Sequence, residues 1–405
     1  MKYYIIAGEA SGDLHGSNLM KGIYAEDPQA DIRFWGGDLM ESVWGDFQND
    51  PSCCDQGDNR ILETTPKSGL VRHYKEGAVM GFIEVLAKAR KLMKNVDFCK
   101  NDILAWKPDV VILIDYPGFN FKIAEFAHKA GFKVFYYIAP KVWASREGRI
   151  KKLKAYVDKL FIVFPFEKHY FDSKGISYIY KGNPLVDAVD GSKAMREDRS
   201  NFMARQGMSD CPYIAMLAGS RKGEISTMMP VLTEFAARMH ALPQYKDHLF
   251  LIAGAPARSM KDYEQWMNEE NSSYVKILFG ETQSIIRHAD AAVVNSGTAS
   301  LETVLFNTPQ VVGYITNPIT YWIARKIVNI KYISLGNLIV DRLAFKEYIQ
   351  DDCNAEMLMK EIRALIEDQK YRNQMFNEYS EIRNALGGSG ASASVARSMI
   401  EELKI

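Results

Sequence analysis

The chain lacks an excess of either charge: its 405 residues carry 50 Lys and Arg against 50 Asp and Glu. That balance removes any global pull toward nucleic acid or anionic lipid, so such binding would need a local patch. Cysteine is sparse. Cys53, Cys54, Cys99, Cys211 and Cys353 are an odd set with no C-x-x-C spacing. They argue against a disulfide framework and a zinc site, leaving reduced cytosolic thiols. The seven histidines have no paired spacing that would hold a metal. No uncharged run approaches the ~20 residues of a membrane-crossing helix. The apolar start Tyr3–Ala7 is too short for a signal peptide and runs into Glu9 and Asp13. A cytosolic protein is expected. Also missing are the G-x-G-x-x-G fingerprint, a Walker loop, and an Asp-x-Asp pair to hold a metal against a diphosphate. These gaps disfavour a nicotinamide dehydrogenase, and no metal or cofactor is expected.

What is present is an ordinary globular composition, 47% hydrophobic and 25% charged, long enough for two domains. Short apolar strands alternate with amphipathic helices. The first half offers strands at Tyr3–Ala7, Ile32–Trp35, Val110–Ile114, Lys133–Ile138 and Leu160–Phe164. The second offers Tyr213–Leu217, Leu249–Ala253, Val275–Leu278, Ala291–Val294 and Gln310–Tyr314. Such alternation implies parallel sheets built from βαβ units. The best boundary is Gly182-Asn183-Pro184 with the polar segment Asp190–Asp210 after it. Glu356–Met375 reads as helix, broken later by Gly387-Gly388-Ser389-Gly390, and Asp46–Lys67 reads as a surface insertion.

Two small-residue turns between a strand and a helix stand out in the second half. One is Leu217-Ala218-Gly219-Ser220-Arg221 with Glu224; the other is Asn295-Ser296-Gly297-Thr298-Ala299-Ser300-Leu301-Glu302. Each directs backbone N–H groups and a helix dipole at one place, as a diphosphate site requires. Arg221 adds a permanently charged fork. In the first half, Gly8-Glu9-Ala10-Ser11-Gly12-Asp13 follows the first strand, where open α/β folds bind ligands. A tight turn with an Asp cap explains it equally well. Asp115, ending the strand Val110–Ile114, is placed to act as a general base. It is also placed to satisfy backbone amides in a Pro-Gly turn, the commoner arrangement.

Two further stretches have readings of both kinds. Gly77–Lys94 carries an apolar stripe beside Lys88, Arg90, Lys91 and Lys94, which suits a membrane surface or acyl chains. A helix packed on the sheet with a solvated basic face suits it better. Tyr321–Lys326, leading into Lys331–Ile339, is either a lipid- or phosphate-facing aromatic and basic cluster or a core helix followed by a strand.

Several stretches, taken together, resemble the lipid-A-disaccharide synthases. They are AGEASGD at Ala7–Asp13, WGGDLM at Trp35–Met40, AVMGFIEVL at Ala78–Leu86 and DYPGFN at Asp115–Asn120. IAPKVWA at Ile138–Ala144, FPFEKHYF at Phe164–Phe171 and SGTASLE at Ser296–Glu302 continue the series in order. The resemblance implies an α/β fold of two Rossmann-like domains whose parallel sheets face a central cleft, the GT-B architecture. It implies an acceptor-binding domain over residues 1–185, with the helix 390–405 packed back on it, and a UDP-sugar-binding domain over 186–389. The implied reaction joins UDP-2,3-diacylglucosamine to 2,3-diacylglucosamine 1-phosphate, giving a β-1',6-linked disaccharide and UDP by a metal-independent, inverting transfer. The implied setting is the cytosolic face of the inner membrane, held peripherally, with no nucleic-acid partner and with a homodimer left open.

By the same resemblance Asp115 is the base, and Glu9, Ser11 and Asp13 line the acceptor side. Ser220, Arg221 and Glu224 form the nucleotide-side turn. Ser296, Gly297 and Thr298 meet the diphosphate, Glu302 the ribose, and Asn337 the donor site. The chain departs from the family's usual residues at Ala218 and Gly336 (each usually Pro) and at Asn183 (usually His). It departs again at Ser145, where a second Trp is common. Two other functions fit the same fold: a UDP-sugar epimerase, which needs no acceptor, and a nucleotide-sugar-binding module without chemistry.

Overall fold

The computed structural model describes residues 1–49, 67–77, 84–317, 321–322 and 331–404. Most of the proposed insertion, residues 78–83 of the basic stretch, and 323–330 of the aromatic and basic cluster lie outside these. The chain divides into two compact units. One comprises Met1–Ala188 and Gly387–Ile405, the other Val189–Leu386. Among the described residues no helix is long and apolar enough to cross a membrane.

The first unit is built on a seven-stranded parallel sheet. Its strands are β1 (Lys2–Ala7), β2 (Asp31–Gly36), β3 (Gly69–His73), β4 (Val110–Ile114), β5 (Lys133–Tyr137), β6 (Lys159–Ile162) and β7 (Ile179–Tyr180). They lie in the order β3-β2-β1-β4-β5-β6-β7. Val110–Ile114 is buried at every position, as a strand covered by helices on both faces must be. The order reverses between β1 and β4, so their carboxyl ends flank the crevice where such sheets bind ligands. Ala7 pairs with Ile114, so Gly8-Glu9 and Asp115-Tyr116 leave the sheet side by side.

The second unit repeats the plan with β8 (Tyr213–Leu217), β9 (Leu249–Gly254), β10 (Val275–Phe279), β11 (Ala291–Asn295), β12 (Gln310–Tyr314) and β13 (Glu347–Ile349). The order is β10-β9-β8-β11-β12-β13, all parallel. Its reversal lies between β8 and β11, where Leu217 pairs with Val294. The two small-residue turns therefore emerge on either side of this switch point.

The C-terminal helix Ala391–Lys404 belongs to the first unit. It packs on helix Ala10–Glu26, and a methyl group at Gly22 would lie 2.9 Å from Ala396 Cβ and 3.1 Å from Ala393 Cα. Only a residue without a side chain permits that approach. Asp187 fixes the helix start by accepting hydrogen bonds from the backbone N–H groups of Gly390 and Ser392.

Several segments differ from what periodicity suggests. Glu356–Met375 is not one helix but parts of two, Ala355–Glu367 and Gln369–Leu386. The Asp368 carboxylate between them accepts from the amides of Lys370 and Tyr371, starting a new helix. Lys331–Ile339 contains no strand; helix Leu335–Val340 begins there. The Glu347 carboxylate takes the Ile333 and Ser334 amides at 2.9 Å each, which turns the chain into that helix. Asp190–Asp210 is no linker, since helix Arg199–Arg205 buries Phe202 and Met203 within the second unit. Residues 84–94 of the basic stretch belong to helix Glu84–Trp106, and Gly77 ends a 3-10 turn.

Candidate active site

At the carboxyl edge of the first sheet the backbone is strained. Asp115 and Tyr116 are consecutive left-handed residues, with φ of 42° and 43°. That conformation costs non-glycine residues of order 1–2 kcal/mol each and persists only where the surroundings impose it. Here they do. The Asp115 carbonyl accepts from the buried Tyr136 hydroxyl at 2.6 Å and from Asn120 Nδ2 at 2.8 Å. Asn120 also holds the Ile114 carbonyl, and the Asp115 amide donates to Tyr137. One strand over, Ile138 is left-handed too, at φ 61°, which ends β5 one residue early.

The result is a half-buried carboxyl group whose main chain is clamped. Burial pushes the Asp115 pKa up to about 6, and the Glu9 carboxylate adds to the rise. Lys141 and Arg149 oppose it, as does a hydrogen bond from the Tyr116 amide. A carboxylate with that pKa suits proton abstraction near neutral pH. Lys141 and Arg149 are not evident from sequence as functional. Lys141 lies inside the IAPKVWA stretch, but Arg149 carries no motif and reaches Asp115 only through folding.

Glu9 and Ser11 are exposed at the start of helix Ala10–Glu26. Asp13 is different. It is 3% exposed, and its carboxylate accepts from the amides of Gly37 at 2.7 Å and of Leu39 and Met40 at 3.1 Å. It caps helix Asp38–Gln48, whose own Gly37 has no side chain to do so. Asp13 thus positions the β2 edge and the start of that helix.

In the second unit, Gly219 is left-handed at φ 105°, and a methyl group there would lie 2.4 Å from Asn295 Nδ2. The two turns are that close. The Glu224 carboxylate accepts from the amides of Ser220 at 2.9 Å and Arg221 at 3.1 Å, and from Arg221 Nη1 at 3.1 Å. Those two amides are therefore occupied internally by the Glu224 carboxylate. The helix Lys222–His240 still presents its first N–H groups, which no residue of the same helix can satisfy. Arg221 projects into solvent with its side chain 74% exposed. Arg258, which sequence reading passed over, donates from Nε to the Ser220 carbonyl at 3.2 Å.

In the opposite turn the Ser296 hydroxyl donates to the Ile333 carbonyl, and the Ser296 amide to Gly313. Gly297 precedes helix Thr298–Leu305, leaving Thr298 exposed in its first turn. Glu302, one turn further on, has its pKa raised by burial, partly offset by the Gln283 amide at 3.4 Å. Asn337 is fully buried. Its Nδ2 donates to the Phe345 carbonyl and to Glu347, and its Oδ1 accepts from Ala344 and Phe345. It fastens the loop before β13. Gly336 beside it admits no side chain, because a methyl group would lie 2.8 Å from the Phe345 ring.

Among the described residues no group of His, Cys, Asp and Glu is arranged to hold a metal ion. The geometry is that of a clamped carboxylate on one unit and two helix starts beside the sheet switch point on the other.

Comparison with known proteins agrees along the whole chain. Solved structures of similar architecture include an S. aureus MnaA–UDP co-structure (TM-score 0.69, 15% identity, covering 100% of this chain and 97% of that one). Another is a Methanocaldococcus jannaschii UDP-GlcNAc 2-epimerase with UDP-GlcNAc and UDP (TM-score 0.64, 14% identity, 99% and 100%). At such identities these show the fold alone, two Rossmann-like units of the GT-B kind. Sequence relatives are nearer. The lipid-A-disaccharide synthase of Syntrophus aciditrophicus is 34% identical over 97% of this chain and 95% of its own length. That of Trichlorobacter lovleyi is 32% identical over 98% and 97%, and that of Myxococcus xanthus 32% over 98% and 97%. Residues 57–397 match the family described as lipid-A-disaccharide synthetase. With the fold, both switch-point turns and this end-to-end similarity in hand, the chain belongs to the lipid-A-disaccharide synthase family.

Proposed function

We propose that this protein is a glycosyltransferase that condenses UDP-2,3-diacylglucosamine with 2,3-diacylglucosamine 1-phosphate, forming the lipid A disaccharide 1-phosphate and UDP. The observation that carries this reading, beside family membership, is Asp115: a clamped carboxyl group at a sheet switch point, titrating near 6. In the reaction it takes the proton of the acceptor's 6-hydroxyl as that oxygen attacks C1 of the donor sugar. The bond from C1 to the diphosphate breaks on the opposite face, so configuration inverts. Glu9 and Ser11 lie beside the acceptor, while Lys141 and Arg149 keep Asp115 ionised enough to act.

The second unit receives the nucleotide. Arg221, Thr298 and the N–H groups opening helices Lys222–His240 and Thr298–Leu305 take the charge that develops on the departing UDP, with Glu302 at the ribose. Glu224, Asn337 and Ser296 hold the loops that carry them. The first unit, Met1–Ala188 with Gly387–Ile405, is the acceptor side. The second is the UDP-sugar side. The protein works at the cytosolic face of the inner membrane as a peripheral enzyme and requires no divalent ion.

Purified protein incubated with both lipid substrates should release UDP and yield a product of disaccharide mass, with EDTA making no difference. Conversion of the UDP-sugar in the absence of acceptor would refute the transferase reading in favour of an epimerase.

A further inference from the structure

An open cavity of about 490 Å³ lies between β3 and helix Glu84–Trp106, lined by Arg72, Glu76, Lys91, Lys94, Asn95 and Phe98. Three cations face one carboxylate. Glu76 balances them poorly: its side chain is 60% exposed, and its Oε2 lies 3.5 Å from Arg72 Nε. Lys91 Nζ donates to the Glu76 main-chain carbonyl at 2.6 Å rather than to its carboxylate. Lys94 has no hydrogen bond or ion pair among the described residues.

Arg72 is held ready. Its Nη1 donates to Asn95 Oδ1, and its guanidinium lies 5.2 Å from the Phe98 ring and 5.6 Å from that of Trp35. A guanidinium laid on aromatic faces keeps its charge with little freedom to lose on binding an anion. Lys91, Lys94 and Phe98 follow at helical spacing, so cations and an apolar wall share one face. Phe98, which lines the cavity, is 46% exposed, an open apolar surface beside these cations.

The cavity also lies on the same edge of the sheet as Asp115. Arg72 pairs with Trp35 near the carboxyl ends of β3 and β2, and all the strands of the sheet are parallel. Aromatic rings continue from it: Phe98 to Trp35 at 6.1 Å, Trp35 to Phe119 at 5.3 Å, and Phe119 to Tyr116 at 5.7 Å. Tyr116 is the residue after Asp115.

We propose that this cavity seats the phosphomonoester of an acylated amphiphile. The phosphate lies among Arg72, Lys91 and Lys94, and the apolar portion lies along Phe98. A dianion matches the charge surplus, the Arg72 fork matches its oxygens, and the aromatic wall selects an amphiphile over inorganic phosphate. Two sources carry this chemistry. One is the phosphate of the acceptor lipid, which rests on the transferase reading. The other is phosphatidic acid in a bilayer, whose headgroup is itself a phosphomonoester.

The test uses the full chain and titration calorimetry with dihexanoyl phosphatidic acid, dihexanoylglycerol and inorganic phosphate. Phosphatidic acid should bind about tenfold more tightly than either of the others. Arg72→Gln and the surface change Lys94→Glu should each weaken it about tenfold, with UDP affinity unchanged. Equal binding of the three probes, or by the wild type and Lys94→Glu, overturns the proposal. A raised KM for diacylglucosamine 1-phosphate in Lys94→Glu, at unchanged donor KM, assigns the site to the acceptor. An unchanged KM with lost sedimentation on phosphatidic-acid vesicles assigns it to the bilayer. A wild type that binds the probe yet releases no UDP would refute the transferase reading and leave the cavity assignment standing.

Discussion

Gly8 lies directly beneath the ring of Tyr116: a methyl group on Gly8 would sit 2.2 Å from Tyr116 Cδ1. The first turn of the chain and the strained turn after β4 are thereby locked together. Gly8→Ala has to displace that ring and the Asp115 carboxyl group beside it. Such overpacking costs about 1–3 kcal/mol. The expected outcome is a lower denaturation midpoint together with reduced kcat, and Tyr116→Ala on the same chain should restore part of the stability. Denaturant titration of the single and double variants measures it. A fully additive double variant would show that the two residues do not interact.

Asp115 is the proposed base, so Asp115→Asn should lower kcat by about 10²–10⁴-fold. UDP affinity should stay within error, because the nucleotide lies on the other unit. Steady-state kinetics with a UDP-binding isotherm separates the two effects. A normal kcat removes Asp115 from the mechanism.

The pH dependence follows from the same carboxyl group. With a pKa of about 6 in the folded protein, Asp115 is protonated and inactive at low pH and becomes a base as pH rises. The kcat/KM profile should climb through about pH 6 and level off above it. Lys141 lowers this pKa, so Lys141→Met should move the acid limb to higher pH. A limb that stays in place or moves downward contradicts the assignment.

Arg221, proposed to meet the diphosphate, has a largely exposed side chain. Arg221→Ala should raise the Kd for UDP about 10-fold or more, the usual worth of a charge-assisted contact. Arg221→Lys should recover only part, since an ammonium cannot reproduce the planar fork. Unchanged UDP affinity in Arg221→Ala would count against the role.

Helix Ala391–Lys404 depends on Gly22 and Asp187 for its seat. Gly22→Val drives a branched side chain into Ala396 and the backbone at Ala393 and should destabilise by about 1–3 kcal/mol. Asp187→Ala removes the acceptor for two helix-start amides and should cost about 0.5–2 kcal/mol, as the loss of a helix cap does. Hydrogen exchange at Gly390 and Ser392 should quicken in Asp187→Ala. Unaltered protection there would show that the cap is not what holds the helix.

Much of the fold is legible in the chain because it is written locally. Runs such as Val110–Ile114 and Ala291–Val294 are apolar and buried at every position, so they read as strands without knowledge of their neighbours. The strands β3, β7 and β13 escape notice because they are short or polar: GLVRH, IY and EYI carry no period. The turns at Gly219 and Gly297 are visible for the same local reason, as small residues between a strand and a helix.

What the sequence determined by itself is the alternation of strand and helix, the paired switch-point turns, and Asp115 at a strand end, all set by neighbours within a few residues. Tertiary structure decided which polar groups are left for chemistry. It gives Asp13 to amides 24–27 residues away, and Glu224 and Asn337 to nearby loops. It leaves Asp115 half-buried, near Glu9, Lys141 and Arg149. The division is physical: hydrophobic periodicity acts along the chain, whereas hydrogen-bond satisfaction and electrostatic environment act across space.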